Sequence, residues 1–186
     1  MKRFFDILLS LSAFITLLAP IIISAILVKL TSKGPALYWS DRVGKDNQIF
    51  KMPKFRSMKI NTQTIATHLL EDPQSVLTPF GNFLRKSSLD ELPQLWSILI
   101  GNMSFVGPRP ALFNQDDLIV LRTEKGVHGL VPGLTGWAQI NGRDELSISQ
   151  KVALDVEYVQ KQSFWFDIKI LWLTFLKVFW SDGVSH

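Results

Sequence analysis

Hydrophobic and polar positions divide the chain into an uncharged N-terminal run, a basic segment and a series of short amphipathic stretches. Residues 7–28 carry no charge. As a helix these 22 residues would reach about 33 Å, which matches the hydrocarbon core of a bilayer. Pro20 lies near the middle of the run, where a kink is expected. Basic residues flank it on both sides: Lys2, Arg3, Lys29 and Lys33.

Three interpretations of this run compete. A cleaved signal peptide is disfavoured, because the run is long and no small-residue cleavage site precedes Lys29. A single spanning helix is the default. A re-entrant helix broken at Pro20 would keep both cationic flanks in the cytoplasm, as the positive-inside rule requires. The residues leave the last two open, because proline also occurs within spanning helices.

A small β-hairpin is predicted after a breaker cluster at residues 31–35. Residues 36–42 and 48–55 have strand character, and residues 44–47 supply the turn. Pro53 would place the second strand at a sheet edge, since proline cannot donate to a ladder.

The charge of the chain is concentrated near this hairpin. Residues 29–59 hold eight basic and two acidic side chains, a local charge of +6, whereas the whole chain carries +4. This segment favours anionic lipid head groups or phosphorylated ligands, and nucleic acid ranks lower because an apolar run adjoins it. Alternation puts Lys54 and Arg56 on one strand face, as a diphosphate clamp or as an ordinary solvated face. The absence of cysteine excludes disulfides and thiolate chemistry.

Two adjacent carboxylates, Asp90 and Glu91, follow a pair of cations and precede Pro93. Proline is tolerated in a first helical turn, so a helix is predicted to begin near Asp90 and to end at Gly101. Both carboxylates would then lie at the positive end of a helix dipole, a place for anions and their metals. The competing interpretation is a capping box with Ser88 as N-cap.

Four further polar residues are candidates for substrate binding, among them Arg85, one of the two cations just before the dyad. Arg109 lies between two prolines, so its guanidinium is presented from a stiff backbone. Arg143 ends a glycine-rich stretch, residues 131–143, that is a plausible wall for a nucleotide. Asp155 shares a face with Tyr158 on a helix predicted over residues 147–162.

Residues 164–180 combine aromatic residues with Asp167, Lys169 and Lys177. This pattern fits a helix lying in the membrane interface, and a buried core helix is the alternative. The predicted fold is mainly α with a small β-hairpin. Residues 1–33 form the membrane-anchoring helix, and residues 34–186 form a compact domain with interfacial amphipathic helices.

Four stretches in this order resemble the bacterial sugar transferase family, specifically its small monotopic phosphoglycosyl transferases. They are residues 54–58, 84–94, 103–110 and 132–137. The resemblance covers nearly the full length. It implies transfer of a phosphosugar from a UDP-sugar to undecaprenyl phosphate, with release of UMP.

The resemblance also implies roles for individual residues. Asp90 matches the nucleophile that forms a covalent aspartyl-phosphosugar intermediate, and Glu91 matches the second member of the dyad. Mg²⁺ would be held by these two carboxylates. A re-entrant N-terminal helix is implied, with the catalytic domain on the cytoplasmic face of the bacterial inner membrane, among its lipids. The usual serine before the breaking proline is Ala19 here, which leaves the break to Pro20.

Two other functions are compatible with the same residues. A membrane-associated hydrolase of nucleotide or lipid diphosphates would use the same carboxylates and metal with water as acceptor. A non-catalytic lipid-surface module would use Asp90 and Glu91 as a cap. No nucleic-acid partner is expected, and a homo-oligomer is compatible with the sequence.

Overall fold

The computed structural model describes residues 1–60, 62, 72, 74–142 and 145–180, with side chains as far as 177. The described chain is mainly helical, with two small sheets and three single 3₁₀ turns. The elements are α1 (Lys2–Thr16), α2 (Leu18–Thr31), β1 (Leu37–Val43), β2 (Ile49–Phe55), α3 (Gly81–Lys86), α4 (Gln94–Ile100), β3 (Ser104–Val106), α5 (Asp116–Glu124), β4 (Gly133–Thr135), α6 (Trp137–Ile140), α7 (Ile148–Lys161) and α8 (Phe164–Trp180).

The predicted hairpin is confirmed. Strands β1 and β2 are antiparallel, with Tyr38 opposite Lys54 and Trp39 opposite Pro53. In a two-stranded sheet both strands are edges, so Pro53 is tolerated as expected. A second sheet pairs β3 with β4 in parallel. It brings the segment after Val106 beside the glycine-rich stretch.

The largest core cluster is built where β2, α4, β3, α7 and α8 meet. Tyr158, Ile98 and Ile170 are fully buried in it, and residues of α1 pack on its margin. Its fully buried members come from segments far apart in the chain, so this cluster holds the helices around the β3–β4 pair. The buried members are Met52, Leu95, Ile98, Met103, Phe105, Val106, Tyr158 and Ile170.

The N-terminal run folds as two helices that meet at an angle of 63°. Within the described chain no single helix is long and apolar enough to cross a membrane, whereas α1 and α2 together have the necessary length and composition. The break lies at Leu17, so Pro20 stands three residues beyond it, in the first turn of α2. A proline ring obstructs the carbonyl four residues earlier, which displaces the break toward Thr16. The Thr16 hydroxyl donates to the carbonyls of Ser12 and Ala13, a bond that bends helices.

The first turns of α1 are tied to the rest of the domain by polar contacts. Arg3 donates to the carbonyls of Ile98 and Leu99 at the end of α4. The buried carboxylate of Asp6 accepts from the Ser104 hydroxyl and the Phe105 amide, each at 3.1 Å. These contacts hold the first turns of α1 against α4 and β3, before the uncharged part of α1 begins.

Helix α8 has two different faces. Ile170 is fully buried, and the buried Asp167 carboxylate accepts from the Tyr158 hydroxyl at 2.7 Å and pairs with Lys2. On the other side, Trp165 and Trp172 are 77% and 59% exposed. The sequence offered an interfacial helix or a core helix as alternatives, and one side of α8 packs in the core while the other exposes aromatic rings.

Candidate active site

Asp90 and Glu91 lie in a single 3₁₀ turn, Leu89–Glu91, rather than in the first turn of α4 as predicted. Ser88 precedes the turn in the left-handed conformation (φ 56°), and its side chain makes no cap hydrogen bond. The capping-box interpretation is therefore wrong. The turn is held by its neighbours, because Leu89 and Leu92 pack against the cluster around Leu84.

Lys54 connects β2 to both carboxylates of the turn. Its ammonium lies 2.9 Å from Glu91 Oε1 and 4.0 Å from Asp90 Oδ2. Arg109 Nη2 lies 3.5 Å from the same Glu91 oxygen. The Asp90 residue is 8% exposed. These residues form a mostly buried ionic cluster.

The backbone of the Pro108–Arg109–Pro110 segment is held at each of its carbonyls. The Gly133 amide donates to Pro108 O at 2.9 Å. Arg122 donates to Arg109 O at 2.8 Å, and Arg42 donates to Pro110 O at 3.1 Å. Since the two prolines also restrict the chain, the Arg109 side chain emerges from a fixed base.

Arg42 is a residue of this cluster that the sequence analysis missed. It lies on the same face of β1 as Tyr38 and Ser40, and its Nε donates to the Ser40 hydroxyl at 3.0 Å. Burial, reinforced by the nearby charge of Arg109, lowers the pKa of Arg42 to about 10. Side chains alternate along β1, so Arg42 shares a face with Tyr38, which pairs with Lys54. This alternation was the signal that the sequence offered for Arg42.

Burial raises the pKa of the Asp90 carboxyl, and the charge of Glu91 acts in the same direction. Lys54 opposes this shift most strongly, and Arg85 and Arg109 oppose it less. Asp90 is thus a carboxylate with little hydration and several cations nearby. Such a group is more basic than a solvated aspartate.

The structure does not bring all the predicted binding residues to the dyad. Arg56 follows the end of β2, and its guanidinium donates to the carbonyls of Ser32 and Lys33. Of the two residues of the predicted diphosphate clamp, Lys54 therefore lies at the dyad and Arg56 does not. Asp155 is buried and binds Arg122 through two hydrogen bonds of 2.7 and 2.9 Å, which makes it a support behind Arg109. Arg143 lies outside the described residues.

The amino-acid sequence that carries this site matches a known protein family over nearly its whole length. The family model described as "Bacterial sugar transferase" matches residues 1–181. The chain belongs to the bacterial sugar transferase family. Its dyad, the Pro-Arg-Pro segment and the N-terminal helix pair all lie within the matched residues.

Curated relatives carry matching names. The sugar transferase is 42% identical to the UDP-glucose:undecaprenyl-phosphate glucose-1-phosphate transferase of Escherichia coli, over 96% of this chain and 40% of that protein. It is 37% identical to the UDP-galactose-lipid carrier transferase of Erwinia amylovora, over 98% of this chain and 41% of that protein. The chain thus spans about two fifths of these relatives.

A shorter relative matches along most of its own length. The uncharacterised sugar transferase EpsL of Bacillus subtilis is 39% identical over 100% of this chain and 91% of that protein. The part shared with the longer relatives is therefore similar to nearly all of this shorter protein.

Proposed function

We propose that this sugar transferase moves a phosphosugar from a UDP-sugar to undecaprenyl phosphate and releases UMP, as the first membrane step in assembly of a bacterial glycan. The observation that carries the proposal is the Asp90–Glu91 dyad, in which Asp90 is buried and both carboxylates lie close to cations. The names of the relatives supply the substrate class: they are transferases for glucose or galactose phosphate.

The charges around the dyad favour an anionic ligand. Among the described residues, four cations act electrostatically on the two carboxylates or on one another. Cations that are buried together are costly unless an anion joins them. A diphosphate supplies such an anion, and guanidinium groups suit its oxygens. The four cations are Arg42, Lys54, Arg85 and Arg109.

Asp90 is the proposed nucleophile. One of its oxygens forms a bond to the phosphorus that carries the sugar, and the bond from that phosphorus to the UMP oxygen breaks, so that UMP leaves with the electron pair. An oxygen of undecaprenyl phosphate then attacks the aspartyl phosphate, and the Asp90 carboxylate is the leaving group. Carboxylates serve as covalent nucleophiles in other phosphoryl transfers. Partial desolvation and a raised pKa make Asp90 suited to this role.

Mg²⁺ is the proposed cofactor. The described part of the chain contains no cluster of three or more acidic or histidine side chains. Mg²⁺ is commonly bound by one or two carboxylates together with substrate phosphates, which Asp90 and Glu91 can provide. When bound, the ion would neutralise charge on the diphosphate. Lys54 and Arg109 contact Glu91 Oε1, so they hold that carboxylate beside Asp90.

We further propose that α1 and α2 form a re-entrant membrane hairpin. Both ends of the pair contact the same domain: Arg3 and Asp6 contact α4 and β3 at the start, and Arg56 binds the carbonyls that follow α2. A spanning segment would separate its ends by the bilayer.

Because the chain has no cysteine, single cysteines placed before Met1 and at Lys33 can be labelled with an impermeant maleimide. Labelling of both only from the cytoplasmic side supports the hairpin, and periplasmic labelling of either overturns it.

The reaction is tested by UMP release from a panel that includes UDP-glucose and UDP-galactose. Each donor is assayed with Mg²⁺, with and without undecaprenyl phosphate, for the wild type, Asp90→Asn and the exposed control Asp117→Asn. Release that depends on the carrier, and that only Asp90→Asn abolishes, supports the proposal. Free sugar phosphate in place of a lipid-linked product would instead indicate the hydrolase. Release unaffected by Asp90→Asn would overturn the assignment of the nucleophile.

A further inference from the structure

A pocket lies next to the dyad. Of the residues that line it, only Arg109 also belongs to the ionic cluster described above. The turn between β1 and β2 forms one side, and the Pro108–Arg109–Pro110 segment forms another. Val127 and His128 of the 3₁₀ turn Val127–Gly129, together with Leu130 and Pro132, close it. A ligand bound to Arg109 can therefore extend from the dyad into this pocket.

The walls of the pocket are largely apolar. They include Val43, Ile119 and Leu130, together with the prolines at 108, 110 and 132. Apolar walls suit the faces of a planar ring, whereas sugar hydroxyls placed against them would lose hydrogen bonds to water without replacement.

Besides the two arginines, Arg109 and Arg122, the polar side chains of His128 and Asn47 line the pocket. His128 Nδ1 is buried and has no hydrogen-bond partner among the described residues. A buried imidazole nitrogen without a partner is costly, and a ligand that offers either a donor or an acceptor would satisfy it. Asn47 is fixed because its amide nitrogen donates to the Thr123 hydroxyl at 3.0 Å.

We propose that this pocket binds the uracil ring of the UDP-sugar, so that the nucleotide lies across Arg109. This inference rests on the proposed function. When Asp90 attacks the phosphorus, the leaving UMP must lie roughly in line on the opposite side, and the sugar stays with the phosphorus. Of the donor's parts, the uracil ring is the one that combines a flat face with an N–H donor and carbonyl acceptors. His128 and Asn47 are thereby residues that determine specificity for the base.

Direct binding of UMP and AMP to the full chain in detergent tests the proposal without turnover. His128→Ala removes the imidazole. Asn47→Gly removes the amide while keeping the left-handed backbone, since Asn47 has φ 58°. Each variant is expected to weaken UMP binding about tenfold, the loss of one hydrogen bond, and to leave AMP binding unchanged. Glu124→Gln is the matched control, because it changes an exposed side chain at the end of α5 that does not line the pocket.

The outcomes of this binding experiment test the proposed uracil pocket independently of the proposed reaction. A loss of preference for UMP over AMP in both variants, with Glu124→Gln like the wild type, supports the pocket. Unchanged UMP binding in both variants overturns it, and so does an equal loss for UMP and AMP, which would place only phosphate contacts there. Carrier-dependent UMP release by the wild type, measured separately, decides the proposed function whichever way the binding result falls.

Discussion

Replacing Asp90 by asparagine is expected to abolish transfer and to stabilise the folded protein at neutral pH. Burial raises the pKa of this carboxyl in the folded state. The folded protein therefore binds the proton more tightly than the unfolded chain does. The stabilisation that the folded protein gains by binding this proton is complete at pH values below about 4, the ordinary pKa of an aspartate. It is lost as the pH rises through the raised pKa, so that ionised Asp90 costs stability at neutral pH.

The size of the effect follows from the neighbours of Asp90. Each unit by which the pKa is raised corresponds to about 1.4 kcal/mol, or a shift in Tm of about 3–6 °C for a chain of this size. Asparagine removes the buried charge, and Lys54 keeps its closer partner, Glu91, at 2.9 Å. Glu91→Gln is the matched comparison. It takes the anion away from both Lys54 and Arg109, and should destabilise the protein by about 1.5–3 kcal/mol, as expected for hydrogen bonds to charged groups.

The assay is thermal unfolding in detergent between pH 4 and pH 8 for the wild type, Asp90→Asn and Glu91→Gln. The Tm advantage of Asp90→Asn should grow as the pH rises and disappear near pH 4. Its UMP release should be absent throughout. An Asp90→Asn variant that melts below the wild type at neutral pH would refute the reasoning, and so would a Tm difference that does not depend on pH.

Three other predictions follow from the same contacts. Lys54→Met removes the charge that most strongly opposes the raised pKa of Asp90, so the acid limb of the pH–rate profile should move to higher pH. Asp155→Asn leaves Arg122 buried without its carboxylate and should lower the free energy of unfolding by about 3–5 kcal/mol in urea titration. Trp172→Ser should weaken binding to liposomes without changing the Tm, because the ring is 59% exposed; a lowered Tm would place the ring in the core instead.

Elements with a strong local pattern could be predicted from the sequence. The hairpin followed from strand propensity around a turn, and α7 followed from its periodicity. Ser147 caps α7 through a capping box with Gln150, as the structure shows. Asp90, Glu91, Lys54 and Arg109 were each predicted as site residues, and their ion pairs with one another come from the structure. In each case the decisive signal lies in neighbouring residues or in a motif.

The features that could not be predicted depend on distant contacts. Arg56 and Lys54 were equivalent by alternation, yet Arg56 binds carbonyls after α2 because the strand ends at Phe55. Likewise, a capping box at Ser88 was compatible with the sequence, but the left-handed backbone there excludes it. Arg42 was counted only as part of a basic segment, because its contact with Pro110 joins residues 68 positions apart.

The packing around the dyad links the proposed chemistry to the proposed membrane hairpin. Val28, near the end of α2, is buried in one cluster with Phe55 and Leu84, and Leu89 and Leu92 from either side of the dyad pack against it. The turn that carries Asp90 is therefore supported by the same helix that would return from the bilayer. A polyprenyl phosphate keeps its phosphate at the depth of the lipid head groups. If α2 ends at that depth, this packing places the nucleophile where the acceptor's phosphate can reach it, and rigid support there reduces the ordering that the reaction must supply.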